Sequence, residues 1–143
     1  MSPAALTARD DDGMAQVTPI NPHSWTTPLG FDQAQLVESH QRMLVCSGQD
    51  AVGADGRPQH PGDMAAQLEV ALDNLEAIVA GANMSLANIV RLNIYTTDVE
   101  VLIGEHFPAI NARFGDSRYA TSILGVTHLP AQLLVMLEAT AVD

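Results

Sequence analysis

The chain has no lysine. Its six basic residues are all arginines (Arg9, Arg42, Arg57, Arg91, Arg113 and Arg118), set singly among seventeen acids in 143 residues, for a formal charge of −11. Nucleic-acid affinity rests largely on clustered cations that displace phosphate counterions, and neither the sign nor the spacing here supplies them. Nucleic acid is therefore excluded as a partner class. The single cysteine, Cys46, leaves no internal disulfide to be made, which fits a reducing compartment. With no histidine or acid beside it, Cys46 reads as a small buried strand residue rather than a nucleophile. Long apolar runs are also missing: Leu133 to Leu137 stops at Glu138, far short of the ~20 residues a membrane span needs. "MSPAALTARDDDGM" carries Asp10, Asp11 and Asp12 where a secretory signal has an apolar core. The expected location is cytoplasmic, with residues 1–20 a flexible acidic tail and residues 21–143 one domain. His23, His40, His60 and His128 show no paired ligand spacing, so no metal site is expected.

What is present alternates between two periods. A short run at Gln35 to Val37, a polar break, and Met43 to Cys46 have the punctuation of a hairpin. "DAVGADGRPQHPGD" holds the turn dipeptide Asp55-Gly56 and two helix-breaking prolines, Pro58 and Pro61, so a loop or a second hairpin belongs there. From Asp63, Leu68, Ala71, Leu72, Leu75, Ile78 and Val79 recur at three and four residues, the stripe of an amphipathic helix that Gly81 can end. Val90, Leu92 and Ile94 then alternate with Arg91, Asn93 and Tyr95, as in a half-buried strand. A second helix is expected over Val99 to Phe114, capped by Thr97 or Asp98 and disturbed at Pro108, which lacks a donor. Strand-like runs at Thr121 to Thr127 and Leu133 to Val142 close the chain. The order predicts an α+β fold, a mixed sheet with two helices on one face. Val135, Met136 and Leu137 put apolar groups on both sides of the last strand, which predicts subunit association.

"SGQ" at Ser47 to Gln49, the stretch from Asp63 to Glu100, and the closing "GVTHLP" and "LEATAV" carry a resemblance that covers about Phe31 to Val142. The chain resembles the RidA/YjgF family of small homotrimeric enamine and imine deaminases. The resemblance implies a chorismate-mutase-like fold with a six-stranded mixed sheet, a homotrimer with pockets in the clefts between subunits, and no metal or organic cofactor. It also implies an arginine that forks the substrate carboxylate and a glutamate that orients the attacking water. The arginine position is Thr121, a family cysteine falls at Ile123, the glutamate falls at Met136, and a family asparagine corresponds to His106. The expected cleft is lined by Thr121, Ile123, Met136, Ser47, Gly48 and Phe31.

Three residues are candidates for any remaining chemistry. Arg118 lies three residues before Thr121 and either brings a cation into the cleft or sits on a surface loop. His106, beside Glu105, is either a general base or a surface or interface histidine. Glu138 either holds a water or is an edge carboxylate bonded to a backbone amide or to Arg91. Trp25 and Phe31 form either an apolar lid or core anchors. Two functions follow: a trimeric small-molecule binder without the standard 2-imino acid deaminase activity, or a deaminase of an imine or enamine that needs no carboxylate anchor.

Overall fold

The computed structural model describes residues 15–143. The acidic run Asp10 to Asp12 lies outside them. Among the described residues there are six strands, β1 (Gln16–Ile20), β2 (Ala34–Glu38), β3 (Met43–Val45), β4 (Ile89–Thr96), β5 (Ala120–Gly125) and β6 (Val135–Val142). Helix α1 (Met64–Gly81) starts where expected, because the Asp63 side chain accepts a hydrogen bond from the Ala66 N–H at 3.1 Å. Its stripe of Leu68, Ala71, Leu72, Leu75 and Val79 is buried. That face packs on Leu92 and Ile94 of β4 and Leu137, Ala139 and Ala141 of β6.

The second helical region is broken in the turn before Pro108. A single turn, Val99–Val101, passes into a π-turn, Leu102–His106, and then into helix α2 (Phe107–Phe114). The Phe107 N–H reaches back five residues to the Leu102 carbonyl, so the wider turn absorbs the disruption ahead of the proline. Leu102, Phe107, Ile110 and Phe114 complete the core under the sheet.

The expected single six-stranded sheet divides in two. β3, β6, β4 and β5 form one mixed sheet in that order, with β5 parallel to β4 and the other pairs antiparallel. β1 and β2 form a separate antiparallel ribbon. A lone parallel bridge, Asp32 to Ala120, joins the two. Beside this bridge the side-chain amide of Gln35 donates to the Arg118 carbonyl at 2.8 Å. β1 also lies inside the stretch assigned to the tail, and it claims β2 as partner, so β2 and β3 do not pair as a hairpin. β3 joins β6 instead. The 50–60 segment is a short hairpin-like loop, bridged at Val52 and Pro58 around the Asp55-Gly56 turn.

In β4 a bulge between Ile89 and Arg91 puts Ile89 in the core and leaves Val90 half-buried. Beyond it the alternation holds. Arg91, Asn93 and Tyr95 share the open face of the sheet with Met136, Glu138 and Thr140 of β6. Met43, Val45 and Leu124 stand exposed on the same face. The open face is thus apolar at its edge strands and polar at its centre, with Met136 and Val142 the apolar members on β6. Among the described residues, no helix is long and apolar enough to cross a membrane.

Candidate functional site

Strand parity divides the expected cleft residues into two groups. Thr121 pairs with Leu92 and Ile123 with Ile94, which places both on the helix-covered side of the sheet, where Phe31 also packs against the core. The Thr121 hydroxyl donates to the Leu92 carbonyl at 2.5 Å. Met136 lies on the open side, opposite Tyr95. Its side chain covers Gly48 so closely that a Cβ there would come within 2.3 Å of the Met136 sulfur. Ser47, Gly48 and Met136 therefore form one group, and Phe31, Thr121 and Ile123 another.

Phe31 and Ile123 of the second group border a cavity of about 430 Å³. Trp25, Phe31, Ile103, Phe107, Asn111 and Ile123 line it. Trp25 meets Phe31 edge-on at 6.1 Å between ring centres, and Phe31 meets Phe107 in the same way at 6.4 Å. Trp25 is 61% exposed, so it is a rim residue rather than a core anchor. The turn that carries it is held by Asn111, whose Nδ2 donates to the Leu29 carbonyl at 3.1 Å. Gly30 is required beside that contact: its φ is +90°, and a Cβ would meet the Asn111 Oδ1 at 2.6 Å.

Arg118 neither enters the cavity nor extends freely into solvent. Its Nε donates to Asp32 Oδ1 at 2.8 Å, Nη1 donates to the Thr27 carbonyl, and Nη2 donates to the carbonyls of Phe31 and Thr26. Asp32 is 2% exposed and also accepts from Asn21 and Gln35, both at 2.9 Å. Burial pushes the Asp32 carboxyl up, but its bonds to Gln35, Arg118 and Asn21 together hold it below its ordinary value. Arg118 is thus fully engaged in fixing the 21–32 turn.

Glu138 lies on the open face. Its Oε1 accepts from Tyr95 Oη at 2.9 Å and from Asn93 Nδ2 at 3.1 Å, and that bond to Glu138 pushes the Tyr95 phenol up. Arg91, the partner considered for it, instead points its Nη2 toward Ser122 Oγ at 3.5 Å. His106 lines a different groove, with Asp63, Thr97, Asp98 and Leu134. Its Nε2 is 3.9 Å from Glu105 Oε2. Glu138, His106 and Arg118 therefore do not converge within one chain. No group of three or more potential metal ligands occurs among the described residues. Cys46 is buried, and burial pushes its thiol up.

Sequence reasoning did not single out Asp32, Asn21 or Asn111. Asp32 acquires its role only from Arg118, a residue distant in the chain. Asn111 follows Ile110 in a helical pattern that gives no sign of its contact with Leu29.

The endoribonuclease L-PSP family model matches residues 31–143. The chain is 27% identical over 132 residues to the mitochondrial protein MMF1 of Saccharomyces cerevisiae, covering 92% of this chain and 88% of that one. It is 29% identical over 102 residues to the 2-iminobutanoate/2-iminopropanoate deaminase of Escherichia coli, covering 70% and 79%. The crystal structure of YyfB, a conserved Rid family protein from Yersinia pestis, superposes with a TM-score of 0.80 at 30% identity, over 89% of this chain and 98% of that one. Matches of this extent, in sequence and in fold, make the chain a member of the RidA/YjgF family, the one the endoribonuclease L-PSP model describes.

Proposed function

We propose that this protein is a homotrimer whose clefts, each completed by two copies, bind a small uncharged molecule, and that it does not catalyse standard 2-imino acid deamination. The division of the cleft residues carries this reading. Thr121, Ile123 and Phe31 belong to the covered side of the sheet, and Met136, Gly48 and Ser47 to the open side. One copy cannot close both groups around one molecule, whereas two adjacent copies can. Exposed Met43, Val45 and Leu124 supply apolar surface for such contacts. Loss of the standard activity is argued from chemistry. The Thr121 hydroxyl is committed to Leu92, the Arg118 guanidinium to Asp32 and three carbonyls, and Met136 has no group that can hold a water.

The mass in solution, measured by light scattering, is expected to be that of three chains. A monomer at micromolar concentration overturns the shared cleft. Freshly generated 2-iminobutanoate is expected to hydrolyse at its uncatalysed rate in the presence of the protein. Acceleration comparable to that by the E. coli relative would show that another group has replaced the missing arginine.

A second reading is supported by Glu138. Two donors on Oε1 fix its carboxylate while Oε2 remains for a water, an arrangement suited to hydrolysis of an imine or enamine that needs no carboxylate anchor. A screen of uncharged imines against wild type and Glu138→Gln separates the two readings. Only the second expects a rate that the substitution removes.

A further inference from the structure

We infer that the cavity beside the 21–32 turn is a binding site for a flat, uncharged aromatic molecule bearing an N–H or O–H donor, with Asn111 as the residue that reads the donor. This deepens the proposed function, resting on it only in that Phe31 and Ile123 belong both to this cavity and to the proposed cleft.

Three observations converge on this ligand class. The cavity, about 430 Å³, suits a small ring system. Its walls include Trp25, Phe31 and Phe107, arranged edge-to-face in series. Rings in that arrangement leave faces and edges free for a further ring. Trp25 and Ile103, 61% and 50% exposed, stand at the cavity as apolar surface that no described residue covers.

Polarity narrows the class further. No charged side chain lines the cavity among the described residues. The nearest cation candidate, Arg118, is engaged by Asp32 and by the carbonyls of Thr26, Thr27 and Phe31. A carboxylate or phosphate entering here would lose its hydration without gaining a partner. Among the described residues Asn111 is the only amide side chain in the lining, and its Nδ2 is occupied by the Leu29 carbonyl. Its Oδ1, beside Gly30, accepts no hydrogen bond among the described residues, so the side chain favours a ligand that donates.

The test uses the full chain and its single tryptophan, Trp25, as the reporter. Benzamide, N,N-dimethylbenzamide and benzoate are titrated separately. They share one ring and differ in donor and charge. Benzamide is expected to change the tryptophan emission saturably. N,N-dimethylbenzamide, without a donor, is expected to bind about fivefold more weakly. Benzoate is expected to bind at least about thirtyfold more weakly. Asn111→Leu is expected to erase the difference between the two amides. Because that substitution also removes the clamp on Leu29, Ile103→Lys serves as a second variant, at an exposed position. It is expected to improve benzoate relative to benzamide by at least about tenfold. Equal affinity for the two amides, equal affinity for benzoate, or an unresponsive tryptophan each overturns the inference. The cavity lies within one protomer, so a monomer that passes these titrations keeps the inference and loses the shared cleft. A trimer that fails them loses the inference alone.

Discussion

Replacing Arg118 by leucine is expected to destabilise the fold by about 3 kcal/mol at neutral pH, the cost of leaving a buried charge without its partner. Asp32, 2% exposed, loses the Nε–H bond at 2.8 Å, and the carbonyls of Thr26, Thr27 and Phe31 lose their donors. Asn21 and Gln35 still donate to Asp32, which keeps the effect from being larger. Urea unfolding measures it as a fall in midpoint. The pH dependence distinguishes a lost charge pair from lost packing. In the parent, the Asp32 carboxyl lies below its ordinary value of 3.8, so its stabilisation is full above that value and is lost as pH falls through the lower folded one. Without Arg118, burial pushes the same carboxyl up, and protonation relieves the variant before it weakens the parent. The gap between the two proteins is therefore expected to close as pH falls toward 4. A gap that stays constant, or one under about 1 kcal/mol at pH 7, would show that the pair is not what holds the turn.

Thr121→Arg combined with Met136→Glu is expected to raise 2-iminobutanoate hydrolysis above background where neither change alone does so. A guanidinium fork on a carboxylate is worth on the order of 3 to 6 kcal/mol, or roughly a hundredfold to ten-thousandfold in affinity. Thr121→Arg alone is accordingly expected to tighten binding of a small carboxylate such as 2-oxobutanoate with little gain in turnover. Met136 lies directly on Gly48, so glutamate there places a carboxylate over the 47–48 backbone, where a water can be held. The two effects should appear separately, affinity with the first change and kcat with the second. Arginine is larger than the half-buried threonine whose hydroxyl it displaces from Leu92, so the variant's trimeric mass is checked first. A folded trimeric double variant that neither binds the oxo acid nor hydrolyses the imine would limit the family likeness to the scaffold.

The helix α1 and the central strands were legible because burial on one side imposes a period, and that period is written in single residues. Leu68 to Val79 and Leu92 to Ile94 needed no distant information. Pairing is different. Turn residues between Val37 and Met43 announce that a strand ends, but not which partner it takes, and β1 was hidden because "QVTPI" has a proline and little alternation. Thr121 and Ile123 could be placed by the motif around Pro130, and Met136 by the closing "LEATAV". That they occupy opposite sides of one sheet follows from register, which no motif states. Arg118 was read by its spacing from Thr121, although its role depends on a buried acid 86 residues away.

The π-turn at Leu102–His106 has a geometric consequence for the aromatic wall. In a regular α-helix, side chains five residues apart diverge by about 140° around the axis. Here Leu102 and Phe107, five apart and joined by a backbone hydrogen bond, are both buried in the same core. The widened turn behaves as one surplus residue held within the helix, and it decides where the Phe107 ring meets Phe31. The shape of that wall is consequently set by segment length as much as by residue type. A gain or loss of one residue in this turn would rotate the ring to a new direction with every aromatic side chain still present.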